Sequence, residues 1–136
     1  MTPDEARAFL RANHYGVLAT FRRDGRPQLS PVLAGIDDQG RIEISTREAA
    51  MKVKNLRRDP RLSMVVLNPG FYGDWCQVEG TAEIVEQPEA LDLLVDYYRR
   101  ITGEHPDWDE YRQSMIDQRR VLVRFEIERA GPTVEG

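Results

Sequence analysis

The sequence predicts a mainly β, α+β fold: an antiparallel barrel or strongly curled sheet of about six strands, with helices outside. Three observations carry this. Short runs of strand-forming residues are separated by tight-turn signals, the strongest being Asp24-Gly25 between two apolar runs. Residues 76–84 alternate strictly, with Cys76, Val78, Gly80, Ala82 and Ile84 on one face and Gln77, Glu79, Thr81 and Glu83 on the other. There is neither a strand-helix-strand rhythm nor a Gly-rich fingerprint, which disfavours a dinucleotide-binding Rossmann domain.

The elements follow in order. Thr2, Pro3 and Glu5 make a capping box with proline at the first helical position, so a short helix opens the chain and turns Phe9 and Leu10 inward. Tyr15 to Phe21 reads as a strand, and the Asp-Gly turn returns it along Pro27 to Ile36. Pro27 and Pro31 favour an edge or a bulge in that second strand. A turn at Asp37 to Gly40 leads into Arg41 to Ser45, completing a three-stranded meander. Thr46 is the expected N-cap of a helix over Ala49 to Arg58, which Pro60 ends. Arg61 to Leu67 is a buried strand, and Asn68-Pro69-Gly70 turns into a loop through Asp74. Gly80, in the middle of the next strand, signals a bulge or a close backbone approach.

Pro88 is expected to open a longer helix with Leu91, Leu94, Val95, Tyr98 and Ile101 at helical spacing and Gly103 as its stop. Asp107 and Glu110 make a second capping box, beginning a helix to about Gln118. A last strand runs from Val121 to Ile127, and the tail from Ala130 to Gly136 reads as frayed.

At 136 residues the chain is one domain's worth, with one modest core and little interior for a large enclosed ligand. The formal net charge of −4 argues against a globally basic nucleic-acid binder. The single cysteine, Cys76, cannot form an intrachain disulfide. No apolar run approaches the ~20 residues needed to span a bilayer, and the acidic start lacks a secretory signal pattern. A cytoplasmic protein with no membrane partner is the expectation.

His14 and His105 are the only histidines, and no Cys, His and carboxylate set has metal-ligand spacing, so no metal site is expected. No nucleophile elbow or P-loop is present. Cys76 lies on an apolar strand face and reads as a small buried hydrophobe. The positive signal is the stretch from Ser45 to Arg58, where a strand delivers Ser45 and Thr46 to the start of a basic helix. Unpaired amides at a helix start attract anions. Lys52 and Asn55, three apart, share a helix face with Lys54 nearby. That geometry suits a phosphate; it equally suits a capped helix with a solvated basic face, and the residues alone leave both open. Trp75, Phe71 and Tyr72 could stack on a ring system or plug a barrel end. Arg57, Arg58 and Arg61 form a basic cluster without interleaved aromatics, a weak signal for RNA.

Five runs in order extend the reading: Gly16 to Thr20, Asp24 to Val32, Ser45-Thr46, Lys52 to Arg61, and Val78 to Ala82. Together they resemble the pyridoxamine-phosphate-oxidase-like split β-barrel superfamily. Their spacing is most similar to its branch of deazaflavin-dependent reductases, which use coenzyme F420. The resemblance implies a homodimer with cofactor sites at the subunit interface and a small-molecule substrate. It implies that Ser45, Thr46, Lys52, Lys54 and Asn55 hold the phosphate and nearby polar groups, with Met51 in the same segment. It implies that the strand from Gln28 through Ser30 and Pro31 to Val32 lines the ring, and that Trp75 and Gln77 come from the partner subunit. Many relatives carry arginine two positions before the lysine matched to Lys52; here that residue is Ala50, and Arg47 is the candidate replacement. The departure motivates FMN as the alternative cofactor. The lack of a recognisable proton donor motivates a non-catalytic binding protein as another alternative. No catalytic side chain is identified.

Overall fold

The computed structural model describes residues 1–132 of the chain. The helix α1 (Pro3–Ala12) has the expected capping box: the Thr2 hydroxyl accepts from the Glu5 amide, and the Glu5 carboxylate accepts from the Thr2 amide. Strands β1 (Tyr15–Phe21), β2 (Pro27–Ile36) and β4 (Arg61–Leu67) lie where the sequence places them. Between them come β3 (Ile42–Arg47) and α2 (Met51–Arg58). Then follow β5 (Trp75–Thr81), β6 (Glu83–Val85), α3 (Ala90–Thr102), α4 (Trp108–Asp117), β7 (Arg120–Phe125) and β8 (Arg129–Gly131).

The eight strand segments form one antiparallel sheet in the order β6-β7-β3-β2-β1-β4-β5-β8. The expected count of six is recovered on joining segments that follow each other in the chain. β5 and β6 are one strand interrupted at Ala82, whose amide turns away to the Pro60 carbonyl at 2.8 Å. β7 and β8 are one strand interrupted at residues 126–128. Since β6 pairs with β7 and β5 pairs with β8, this bent hairpin joins the two ends of the sheet and rolls it into a barrel.

The hairpin contains a step in register. Glu79 faces Arg129 and Glu83 faces Arg124, so three residues on one side oppose four on the other. The extra residue is a bulge, the usual device for turning a sheet through a corner. Gly80 sits at that corner. A Cβ there would meet the Glu126 carbonyl oxygen at 2.5 Å and the Phe125 ring at 2.6 Å. The close backbone approach signalled by the sequence is therefore at this glycine.

Five expectations are corrected. Thr46 is no helix cap. Ser45 and Thr46 continue β3 opposite Leu122 and Val121, because β7 offers ladder partners as far as Arg120. A turn follows, and α2 starts at Met51 rather than Ala49, with Ala50 at the cap position and no side-chain cap bond. The last strand stops at Phe125, and Ala130 and Gly131, read as a frayed tail, pair with Val78 and Gln77 in β8; residues 133–136 of that tail lie outside the described residues. Pro88 precedes α3 in a turn rather than opening it.

Two apolar clusters hold the fold. One fills the barrel with Leu18, Ile42, Ile44, Met64, Val66, Val78 and their neighbours. The other seats α3 and α4 on the outer face of β7 through Leu94, Val95, Tyr97, Tyr111, Met115 and Leu122. Tyr97 and Tyr111 fix this second layer by donating their hydroxyls to the carbonyls of Leu33 at 2.7 Å and Leu94 at 2.9 Å. On the same face Glu43 is 1% exposed and accepts from Arg100 of α3 at 3.0 Å. Burial pushes the Glu43 carboxyl up to about 7, against the opposing pull of Arg100.

Replacing Gly80 with alanine is expected to destabilise the fold by about 1–3 kcal/mol, the usual cost of overpacking, and urea unfolding measures it. Glu43 holds its proton more tightly folded than unfolded, where its pKa is near the ordinary 4.5. Stability therefore falls as pH rises from about 4.5 to about 7 and levels above that. Glu43→Gln should flatten this part of the profile, which denaturation midpoints across that range would reveal.

Candidate functional site

A groove of about 370 Å³ opens where β2, β3, α2, α3 and α4 meet the start of β7. Its apolar wall is Pro31, Val32 and Leu33 on one side and Tyr97, Tyr98, Tyr111 and Met115 on the other. Its polar end is Ser45, Thr46, Lys52 and Arg120. The wall exists because β2 is the last strand that α3 reaches: Tyr97 is anchored on the Leu33 carbonyl, and the sheet continues beyond it uncovered.

The polar end is built by two pieces of backbone. β3 runs through Ser45 and Thr46 into a turn closed by the Ala50 amide on the Arg47 carbonyl at 3.0 Å. The Glu48 amide then donates to the Arg119 carbonyl at 2.9 Å, tying this turn to the connection between α4 and β7. Lys52, half-buried in the first turn of α2, faces the groove. Burial holds its ammonium below the usual range, and the charge of Arg120 lowers it further. Lys52 forms no ion pair among the described residues.

Of the residues singled out from the sequence, the structure brings Pro31, Val32, Ser45, Thr46 and Lys52 into this one groove. Asn55 lies beneath it rather than in it. It is 1% exposed; its amide donates to Thr20 Oγ1 at 3.1 Å and Gln28 Oε1 at 3.0 Å, and its carbonyl oxygen accepts from Arg58 at 3.2 Å. Asn55 thereby ties α2 to β1 and β2 and holds the Gln28 side chain. Ser30 is part-buried on the interior side of β2, opposite Leu18. Lys54, Arg47 and Met51 are exposed and do not line the groove. Lys54 follows Lys52 by two residues, a spacing that puts side chains on different helix faces.

Trp75 and Gln77 lie on β5, four strands from β3, and do not reach the groove within one chain. They border an apolar outer face. Cross-strand pairing aligns Tyr15 with Leu33 and Leu67, Val17 with Pro31 and Val65, and Ala19 with Leu29. Leu67 in turn pairs with Trp75. Leu29 is 64% exposed, Tyr15 56% and Leu33 44%. These residues give the outer face an exposed apolar surface that runs up to the groove wall.

Arg120 also lines the groove, a placement not expected from the sequence. Its signal in the sequence was no more than an Arg119-Arg120 pair before an apolar run, and only the β3–β7 register brings it beside Lys52. The other chemistry-bearing candidates are accounted for by structure. Cys76 is buried, and burial pushes its thiol up to about 11. His14 shares a hydrogen bond with the Ala34 carbonyl, and His105 packs among Tyr98, Trp108 and Tyr111. Arg57 pairs with Glu86, and Arg61 pairs with Asp59 over the Phe21 ring, so the basic cluster is largely self-neutralised. Among the described residues, no three His, Cys, Asp or Glu side chains converge to hold a metal. Among the described residues, no helix is long and apolar enough to cross a membrane.

A family model described as pyridoxamine 5'-phosphate oxidase matches residues 2–133. The chain is 28% identical over 128 residues to an F420H(2)-dependent biliverdin reductase of Mycobacterium tuberculosis (strain CDC 1551 / Oshkosh), spanning 93% of this chain and 84% of that one. A conserved hypothetical protein of Mycobacterium tuberculosis superposes with a TM-score of 0.78 at 32% identity, over 100% of this chain and 93% of the other. A solved structure named F420 Reductase superposes with a TM-score of 0.72 at 22% identity, over 92% of this chain and 94% of the other.

Proposed function

This chain belongs to the pyridoxamine 5'-phosphate oxidase family, and from that premise we propose that it is a deazaflavin-dependent reductase using coenzyme F420 on a small organic acceptor. The observation that carries the reading is the composition of the groove. It combines an apolar and aromatic wall with a cationic, hydroxyl-bearing end suited to a phosphoryl group. The relative named for F420H2-dependent reduction supports the choice of cofactor. FMN, which offers the same ring-and-phosphate pattern, is the second reading, favoured by the alanine at position 50.

When bound, the reduced deazaflavin supplies a hydride. The protein's part is to hold and orient. Lys52 neutralises the phosphoryl charge, with Ser45 and Thr46 at the same end of the groove. Pro31, Val32 and Leu33 would present their strand to the ring, and Asn55 fixes the Gln28 side chain farther along that strand through a hydrogen bond of 3.0 Å. Tyr97, with its hydroxyl committed to the Leu33 carbonyl, closes the opposite side without offering a competing donor. Together these residues would shield a bound ring from water along the groove.

The reading includes a homodimer. In it the apolar face of β2, β1, β4 and β5 is covered by a second copy, and Trp75 and Gln77 of the partner subunit complete the groove. The exposed Leu29, Leu33 and Tyr15 would lie within such an interface.

Titrating the protein with F420 and separately with FMN, by ring fluorescence, tests the assignment. Micromolar binding of F420 is expected, and its absence overturns the deazaflavin reading. Lys52→Ala should weaken binding by about 1.5–3 kcal/mol, the scale of hydrogen bonds to a charged group. Leu29→Glu should convert the dimer to a monomer in sedimentation and reduce cofactor binding with it; a wild-type chain that sediments as a monomer refutes the assembly.

A further inference from the structure

We propose that Arg120, at the start of β7, is the second anion-binding cation of the groove, beside Lys52. This rests on the reading of the groove as a phosphate-ester site and adds to it a ligand from a different part of the chain.

Three observations converge. The first is position. Arg120 lines the groove together with Lys52, Ser45 and Thr46. The Glu48–Arg119 backbone bond and the β3–β7 ladder hold it there. The second is the lack of a neutralising partner. Its guanidinium Nε donates to the neutral amide oxygen of Gln118 at 2.9 Å, and no carboxylate pairs with it among the described residues. Its neighbour across the groove, Lys52, is unpaired as well. Two uncompensated like charges beside a part-buried groove repel each other, and an anion between them relieves that cost. The third is the contrast with Arg47. Arg47 sits opposite Arg120 in the ladder but is exposed and outside the groove. Of the two arginines paired in this ladder, Arg120 is the one that lines the groove.

Arginine suits the task, since its planar fork can give two parallel hydrogen bonds to one phosphoryl group. Gln118 orients that fork by holding Nε, leaving the terminal nitrogens for the ligand.

The test uses the full chain as wild type, Arg120→Gln, Arg120→Lys and Arg47→Gln, with amide chemical shifts confirming each fold. Inorganic phosphate is titrated first. The wild type should show shifts at residues 45–52 and at Arg120. Arg120→Gln should bind phosphate about tenfold more weakly, the loss of one charge-assisted contact. Arg120→Lys should recover part of that affinity, and Arg47→Gln should match the wild type. F420 and its phosphate-free deazaflavin nucleoside follow. Arg120→Gln should lose affinity for F420 and keep its affinity for the nucleoside. Phosphate that shifts amides elsewhere or nowhere, or that binds Arg120→Gln and wild type equally, overturns the proposal. Phosphate bound at the groove through Arg120, with F420 unable to displace it, upholds the anion site and refutes the deazaflavin reading.

Discussion

The closure of the barrel by one bent hairpin is the constraint from which the rest of the structure follows. β5–β6 and β7–β8 each cross a corner as a single interrupted strand, and the register step between them is possible because Gly80 lets the two backbones touch. Closure places β7 beside β3 along its full length. That extra ladder draws Ser45, Thr46 and Arg47 into the sheet and delays α2 to Met51. It also sets the start of β7 next to the start of α2. A long-range pairing between residues about 75 positions apart therefore decides the local conformation of the segment that carries the site.

The groove owes its shape to the helical layer. α3 and α4 cover the outer face of β7 and β3 through an aromatic and aliphatic seam, and their tyrosine hydroxyls are spent on backbone carbonyls. The layer is pinned at its other end by the buried Glu43–Arg100 pair. Such a pair costs desolvation energy, and its value lies more in orienting α3 than in net stability. Because the layer stops at Leu33, the sheet beyond it stays bare. The same edge supplies the groove wall and the margin of the apolar face.

The fold does not by itself name a ligand, since one barrel can serve many chemistries. Here the electrostatics of one corner narrow the choice. A chain of net charge −4 keeps Lys52 and Arg120 together without a carboxylate between them, whereas Arg57, Arg61, Arg100 and Arg124 on other elements are each paired with one. This arrangement favours an anionic ligand over a neutral one. The tyrosine-lined wall beside it favours a ligand with an aromatic body.

By itself the sequence determined the strands and helices whose signals are local. The Thr2 and Asp107 caps, the Asp24-Gly25 turn and the alternation from Cys76 to Glu83 act through neighbours within a few residues, so they are readable without the rest of the chain. The close approach at Gly80 was legible too, as a side-chain-free position in a strand, and so was the placement of Lys52 near the end of β3. The tertiary structure alone decided that Thr46 is a strand residue, that Asn55 braces α2 from below, that Ala130 and Gly131 are paired, and that Arg120 joins Lys52. Each depends on a partner far along the chain, and local propensity yields to a long-range hydrogen-bond ladder whenever closure supplies one.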